Sequence, residues 1–578
     1  MRNKILLLSF IFLYANLSIA QSCNCDITLN GLSSSSVNLI FGNTLGYSPG
    51  DTICIPAGNY AGLRFYDLVG TATQPVTLVN CGGKVVLNES TYPGISFQRS
   101  SNVHITGSGD TSMDYGIEVA GTGTHAVGIY VENLSTDIEI DQIEVSSAGF
   151  AGIMAKTDPY CGNPATWRSN GFVLKNLNIH HNFIHDTGGE GIYIGFTGGY
   201  KVLSKRQCDG VNIFGHWLEN VDVHHNIVEN TGWDAIQLNL VRENGKIRDN
   251  YIYNYGLANA YYQNFAMSIG GGVYEVYNNF ILNGPQKLGQ GIQLISGESG
   301  TKIYNNVLIE PKFHGMFLHN RHEFDDINEG YYIANNTIIK PERAGVCYNT
   351  VITETNIPSK LYSTQDEVPS YFVNNLVVDP GYDFENGNTW KQDQESYFDF
   401  NNRSTRDSLL LNIYSNIMTR DMDTLGLADI ANNDYSPASN LSDLYDAGSN
   451  VSTWGITVDL NNDARPSGNT YDIGAYEYRL PQEAFLTAKL PTFFSDEKAV
   501  LTTESTIFYP NPTDTSFRLE NPEYKNPLLQ IISMNGRILY QGIHNMKDAF
   551  NVEGYAPGLY FIKLISGKKT EVHKLVIQ

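Results

Sequence analysis

Basic residues are scarce in this chain. Its 37 lysines and arginines are outnumbered by 60 aspartates and glutamates, for a formal net charge of −23 over 578 residues. So acidic a surface excludes a nucleic-acid backbone as partner; its bland consequence is solubility outside the cell. Long apolar runs are missing as well. Beyond residue 20 none approaches the ~18 residues that cross a bilayer, so no membrane span is expected. No clustered Asp signature for a calcium site is present. The reading assigns no metal and no cofactor.

What is present is a repeat. HHNFIHDTGGEGIYIG ends at Gly195, VHHNIVENTGWDAIQL at Leu238, VYNNFILNGPQKLGQGIQL at Leu294 and IYNNVLIEPKFHGMFL at Leu318. Weaker copies follow at IANNTIIKPERAGVCY and YFVNNLVV. The turn asparagines Asn182, Asn226, Asn250, Asn279, Asn306, Asn336 and Asn375 are separated by 44, 24, 29, 27, 30 and 39 residues. Three short strands per repeat, with glycine-rich corners, predict a parallel β-solenoid. The Asn column reads as a ladder of side-chain amides along its axis. Such a coil sets equivalent positions side by side and builds a long groove.

The ends are different. MRNKILLLSFIFLYANLSIA carries Arg2 and Lys4, an apolar run and a small-residue site at Ser18-Ile19-Ala20, so residues 1–20 read as a secretory signal peptide. Coils are expected to run to about residue 440, with DARPSGNTYDIGAYEY (463–478) as a closing strand that caps the exposed edge. The solenoid domain is thus assigned to 21–480, a linker to 481–504 and a small antiparallel β-sandwich to 505–578. Within the last, YPNP at Tyr509–Pro512, the Asn535-Gly536 hairpin, PGLYFIK and the terminal KLV strand resemble the C-terminal sorting domain of the Bacteroidetes type IX secretion system. That resemblance implies an export address read by the secretion machinery, and a protein secreted or held on the cell surface. Seven cysteines in an exported chain permit disulfides. Cys54 and Cys81, one coil apart, are one candidate pair; Cys161 and Cys208 are another, and Cys347 is left free.

Alternation along the third strand of each coil selects the groove side chains. Aligning the corner residues Gly128, Gly152, Gly191, Ala235, Ala266, Gly291, Gly315 and Gly345 turns Tyr130, Met154, Tyr193, Gln237, Ser268, Gln293, Phe317 and Cys347 outward. Two positions on come Glu132, Lys156, Gly195, Asn239, Gly270, Ile295, His319 and Asn349. Glu190, Asp234, Phe265, Gln290 and His314 immediately precede the corners. Carboxylates, amides, imidazoles and aromatic rings on one face suit a sugar polymer.

Glu190 and Asp234 fall at one place on neighbouring coils, ~4.8 Å apart along the backbone. Two carboxyls so close cannot both ionise cheaply, and an acid beside a conjugate base is what glycoside hydrolysis uses. Glu190 is the expected proton donor and Asp234 the base or nucleophile. The bland alternative makes them corner residues bonding turn amides. A competing set, Lys156, Tyr193, His314, His319, Arg321 and His322, suits elimination from a uronic sugar, where a base removes a proton and a cation offsets the carboxylate. Gln237, Asn239, Arg242, Gln293 and Phe317 complete the expected substrate-binding set. His180, His181, His224 and His225 recur before the turn asparagines; strand alternation puts neighbours on opposite faces, so they read as structural.

The corner pattern, the turn asparagines and the opening phrase PGDTICIPAGNY resemble the right-handed parallel β-helix of the pectate-lyase-like superfamily, over residues 40–480. The resemblance implies that fold and a habit of acting on polysaccharides; fold alone does not fix the reaction. The motif set of polygalacturonases is absent in order, with only His314-Gly315 matching a fragment, and the Lys and Arg motifs of alginate lyases are not recognisable. The expectation is a monomeric, exported enzyme cleaving glycosidic bonds of an anionic polysaccharide, by hydrolysis first and elimination second. A non-catalytic glycan-binding solenoid is the third reading.

Overall fold

The computed structural model describes residues 24–197, 206–319, 330–349, 369–384, 398–399 and 411–478, apart from 90, 261, 296 and 383, and the strands of a C-terminal module between 507 and 577. The expected signal peptide and linker lie outside these residues. Nearly all described structure is β. Each coil contributes three strands, for example Val173–His180, Phe183–His185 and Ile192–Ile194. The next coil repeats them as Trp217–His224, Ile227–Glu229 and Ile236–Asn239. Pairing is parallel and in register, with His180 opposite His224, Phe183 opposite Ile227 and Ile192 opposite Ile236. The first two strands of the coils form a 23-stranded sheet and the third a 12-stranded sheet, as described. The fold is a right-handed parallel β-helix.

Inward positions are apolar and mostly aliphatic, and Ile153, Ile192, Ile236, Met267, Ile292 and Met316 are sealed in one continuous core. At the turn between the first two strands, the asparagines form the expected ladder. Asn279 shows one rung. Its backbone N–H and Nδ2 both donate to Asn306 Oδ1, at 3.1 and 2.9 Å, and Nδ2 also donates to the carbonyls of Ile247 and Tyr277. Its Oδ1 accepts both donors of Asn250. The ladder runs on to Asn416. The residue before each rung, Asn278, Asn305, Asn335 or Asn374, adopts a left-handed backbone with φ between 54 and 59°, a conformation asparagine tolerates better than most residues.

The terminal segment corrects two expectations. The last described coil strands are Leu411–Tyr414 and Ile417–Thr419, so the coils end before residue 440. Residues 463–478 do not form a closing strand either. They belong to a strap that runs back along the outside of earlier coils. Outward asparagines hold it: Asn305 Nδ2 donates to Val458 O at 2.7 Å, Asn335 Nδ2 to Asp472 O at 2.9 Å and Asn374 Nδ2 to Ser449 O at 2.7 Å. Its apolar side chains Leu444, Leu460, Ile473 and Tyr476 pack on Phe280, Val307, Leu376 and Val378, forming a second core. Within the strap, the fully buried Arg465 bonds the fully buried Glu477 at 2.7 Å. Glycine, proline and Asx residues disfavour a regular strand in this segment.

Of the cysteines, Cys161 bonds Cys208, as expected, and Cys347 is buried and in no disulfide. Cys54, however, bonds Cys25. Register explains the correction: Cys54 lies opposite Val79, and Cys81 opposite Pro56, while Cys25 lies just upstream of strand Ile27–Thr28, which places Thr28 opposite Cys54. The C-terminal module contains antiparallel strands Leu528–Ser533, Ile538–Ile543, Gly558–Ser566 and Lys569–Ile577. Phe517, Leu529, Ile531 and Ile562 lie in its core.

Candidate active site

The 12-stranded sheet carries the candidate residues, and its register is the one the alternation implies. Tyr130, Met154, Tyr193, Gln237, Ser268, Gln293, Phe317 and Cys347 form one column, each opposite the next. The column is not an open groove. Met154, Tyr193, Gln237, Ser268, Gln293 and Cys347 are all buried, because like positions stack ~4.8 Å apart and fill the space between themselves.

Glu190 and Asp234 do sit on adjacent rungs, with the Gly191 N–H donating to the Asp234 carbonyl at 3.0 Å. A side chain at Gly191 would strike Val228 and the Ala235 carbonyl, which is why the corner is glycine. Neither acid lies on an exposed ledge, each being 1% exposed. Asp234 Oδ1 accepts the Phe265 N–H at 2.7 Å, the bond of a corner-structuring residue. Burial drives its carboxyl well above the ordinary range, and the neighbouring Glu190 adds to the rise. Burial also pushes Glu190 up to about 7, with Lys156 opposing. Its Oε2 meets no hydrogen-bond donor among the described residues.

Lys156 joins the two candidate sets. It is buried, and its Nζ lies 3.4 Å from the Tyr193 hydroxyl and 4.5 Å from the centre of that ring. Asp158 pairs with it at 3.1 Å and is the more open partner, with 34% of its side chain exposed. Burial alone would lower the ammonium, but Tyr193 and Asp158 outweigh it and hold Lys156 above the ordinary lysine value. The Tyr193 hydroxyl also bonds Thr197 Oγ1 at 2.6 Å, and Gln237 Nε2 donates to the same Thr197 oxygen. Phe150 stands edge-on to both Tyr193 and Trp233. One compact cluster therefore holds an ammonium, a phenol, a protonatable carboxyl and aromatic rings.

The other expected residues are spread out. Gln293 accepts from Ser268 Oγ at 3.1 Å. Phe317 is four rungs from Tyr193, ~19 Å at one strand spacing per rung, and His314 lies beside it with ring centres 6.0 Å apart. His314 therefore does not join Lys156. A register shift between Gln290 and Ile292 also displaces it from the corner column. Asn239 is buried with Nδ2 lacking an acceptor among the described residues. Arg242 is on the other sheet, where it grips Glu219 through Nε at 2.7 Å, so it is not a groove residue. His319 keeps its register opposite Ile295 and Asn349; Arg321 and His322 lie outside the described residues. Asp158, Thr197 and Phe150 escape the sequence reading. Continuing the alternation one step past Lys156 would have reached Asp158; Thr197 and Phe150 reach the cluster from loops, where no periodicity points.

The histidine expectation also changes. His181 and His225 have left-handed backbones, φ 54 and 53°, which bring each ring round to the side of its neighbour. The sulfurs of Cys25, Cys54 and Cys81 converge, but all three are disulfide-bonded and present no thiolate.

No curated protein matches the chain in sequence. Among solved structures it is similar to pectate lyase Pel9A, at 12% identity and TM-score 0.39, over 78% of this chain and 98% of that one. An alginate lyase from Paenibacillus sp. str. FPU-7 matches at 15% identity and TM-score 0.33, over 55% of this chain and 94% of the other. The GH136 lacto-N-biosidase from Eubacterium ramulus matches at 9% identity and TM-score 0.41, over 66% and 67%. Residues 507–578 match the secretion system C-terminal sorting domain, and the chain is therefore a type IX export substrate, secreted or attached to the cell surface of a Bacteroidetes bacterium.

Proposed function

We propose that the β-helix is a carbohydrate-active enzyme that cleaves an extracellular, uronic-acid-containing polysaccharide by β-elimination. The observation that carries this reading is the buried contact between Lys156 Nζ and the Tyr193 hydroxyl at 3.4 Å. A buried, charged ammonium is the group that offsets a uronate carboxylate and acidifies the adjacent C–H. The Tyr193 oxygen beside it, as a phenolate, takes that proton, and the phenol so formed passes it to the departing glycosidic oxygen, leaving a C4–C5 double bond. The Thr197 hydroxyl, itself bound to Gln237, fixes the phenol's orientation.

Hydrolysis is the second reading, favoured by Glu190, whose carboxyl is raised by burial to about 7 and whose Oε2 meets no partner among the described residues. Against it, the base role of Asp234 needs an ionised carboxylate, the form that burial disfavours. Incubation with a panel of uronic, sulfated and neutral glycans separates the readings. Elimination gives absorbance near 235 nm, and Tyr193→Phe should lower kcat by ~10²–10⁴ with melting unchanged. Reducing ends without that absorbance, abolished by Glu190→Gln, would establish hydrolysis. Neither signal on any glycan would leave a binding solenoid.

A further inference from the structure

Three successive coils close their second strand on a charged residue: Lys340 after Thr337–Ile339, Asp379 after Leu376–Val378 and Arg420 after Ile417–Thr419. The rungs are in register. The Lys340 N–H donates to the Val378 carbonyl at 2.8 Å, and the Asp379 N–H to the Thr419 carbonyl at 2.9 Å. One strand spacing of ~4.8 Å therefore separates each of the three backbones from the next. Lys340 and Asp379 have left-handed backbones, φ 50 and 52°, which turn the chain out of the sheet. Together with Tyr382, Met422 and Ile430, the three charged residues line a cavity of about 300 Å³, the lower end of the range for small-molecule sites. Asp421 and Asp423 complete the lining and are exposed.

Asp379 is the informative member. It is 9% exposed, and its Oδ1 is buried and meets no hydrogen-bond donor among the described residues. Charge pairing is available to this column, since Lys287 pairs with Glu310 two rungs earlier. Lys340 instead sets its ammonium 4.9 Å from the centre of the Tyr382 ring. Burial raises the Asp379 carboxyl, while Lys340 and Arg420 pull it down. A buried acceptor flanked by two cations and left without a donor is a place for a ligand hydroxyl.

We propose that this cavity binds one uronic-acid residue of a glycan, at a site separate from the Lys156 cluster and without cleaving it. Arg420 and Lys340 take the sugar carboxylate, Asp379 accepts from its hydroxyls, and Tyr382, Met422 and Ile430 face its C–H surface. A neutral sugar leaves both cations unused. A bare sulfate or phosphate brings no hydroxyls to Asp379 and faces the carboxylates of Asp421 and Asp423. The uronic class is thus read from this lining and does not depend on the elimination chemistry. Lys340 belongs to the coil of strand Val346–Asn349, six rungs beyond Ile153–Ala155, so ~29 Å of axis separates it from Lys156. A polymer long enough to reach both sites is held by both, which raises its affinity without a new contact in either.

The test is calorimetric titration of the purified full chain carrying Tyr193→Phe and Glu190→Gln, so that neither elimination nor hydrolysis destroys the probe. The probes are trimers of galacturonate, mannuronate and glucuronate, with neutral and sulfated galactose trimers beside them. At least one uronate trimer should bind at least 10-fold more tightly than either galactose trimer. Lys340→Gln with Arg420→Gln should remove one equivalent of uronate binding; any equivalent that remains reports on the Lys156 cluster separately. Asp379→Asn should weaken the same equivalent about 10-fold, and melting no lower than that of the parent would show that these variants are folded. No binding of any uronate trimer, unchanged binding in the Lys340 and Arg420 double variant, or a galactose trimer bound as tightly would overturn the site.

Discussion

Replacing Asn279 by alanine removes one rung from the middle of the amide ladder. The side chain makes five hydrogen bonds: three donated by Nδ2, to Asn306, Ile247 and Tyr277, and two accepted by Oδ1, from the backbone and side chain of Asn250. Not all of these are lost without substitute. Asn250 Nδ2 still reaches the Val223 carbonyl, and Tyr277 O still accepts the Asp249 N–H. The Ile247 carbonyl keeps its place in the parallel ladder beside Tyr277, so the Asn250 N–H is the group left stranded in a sealed interior. At ~1–3 kcal/mol for a buried orphan, the rung is worth about 1–3 kcal/mol. A solenoid this long does not unfold in one step, so the reading should be local. Hydrogen exchange at the Asn250 amide, resolved by mass spectrometry, should accelerate by roughly 10–10², since every ~1.4 kcal/mol is tenfold. Asn416→Ala, at the half-buried end of the ladder, should accelerate exchange at the Asn375 amide far less. An Asn250 amide that exchanges at the wild-type rate in Asn279→Ala, or equal effects at the two rungs, would refute the argument.

Two further outcomes follow from buried charge. Burial raises the Glu190 carboxyl from 4.5 to about 7; as pH rises, the unfolded chain therefore releases this proton before the native one, and stability falls between about pH 4.5 and 7. At ~1.4 kcal/mol per unit for one proton, the decline totals up to about 3 kcal/mol, and Glu190→Gln should flatten its share of the melting-temperature profile. A variant whose profile overlays the wild type would show that Glu190 ionises normally. In the strap, Glu477→Ala leaves the Arg465 charge buried and unpaired, which should cost ~3–5 kcal/mol and expose residues 445–478 to limited proteolysis; resistance equal to wild type would contradict this.

How much was legible in the sequence depended on how local the cause was. The period of the Asn-containing turns specifies the ladder, and strand alternation gives the whole Tyr130–Cys347 column its register. Both follow from backbone geometry alone. Exposure is not a backbone property. Glu190 and Asp234 were placed side by side from spacing, yet each is 1% exposed, which spacing along the chain does not report. The histidine pairs failed for another reason: alternation assumes extended backbone, and His181 and His225 are left-handed. In the NN turns the two asparagines do separate jobs, the second inside the ladder and the first outside on the strap. The sequence shows both letters, but only the second job is implied by periodicity. Cys54 misled because its spacing to Cys81 suggests one coil, whereas the register there pairs Cys54 with Val79 and Cys81 with Pro56.

The strap lies after the coils in the chain but is bonded across earlier ones, from Asn305 to Asn374. During synthesis those turns must emerge, and stack, without the segment that will later fasten them. Their outer face, with Phe280, Val307 and Leu376, stays wet until residue 476 has left the ribosome. The export address begins only at residue 507. Order of translation thus makes the fastener ahead of the shipping label, so a chain truncated between them would be a latched coil without an address for the type IX machinery.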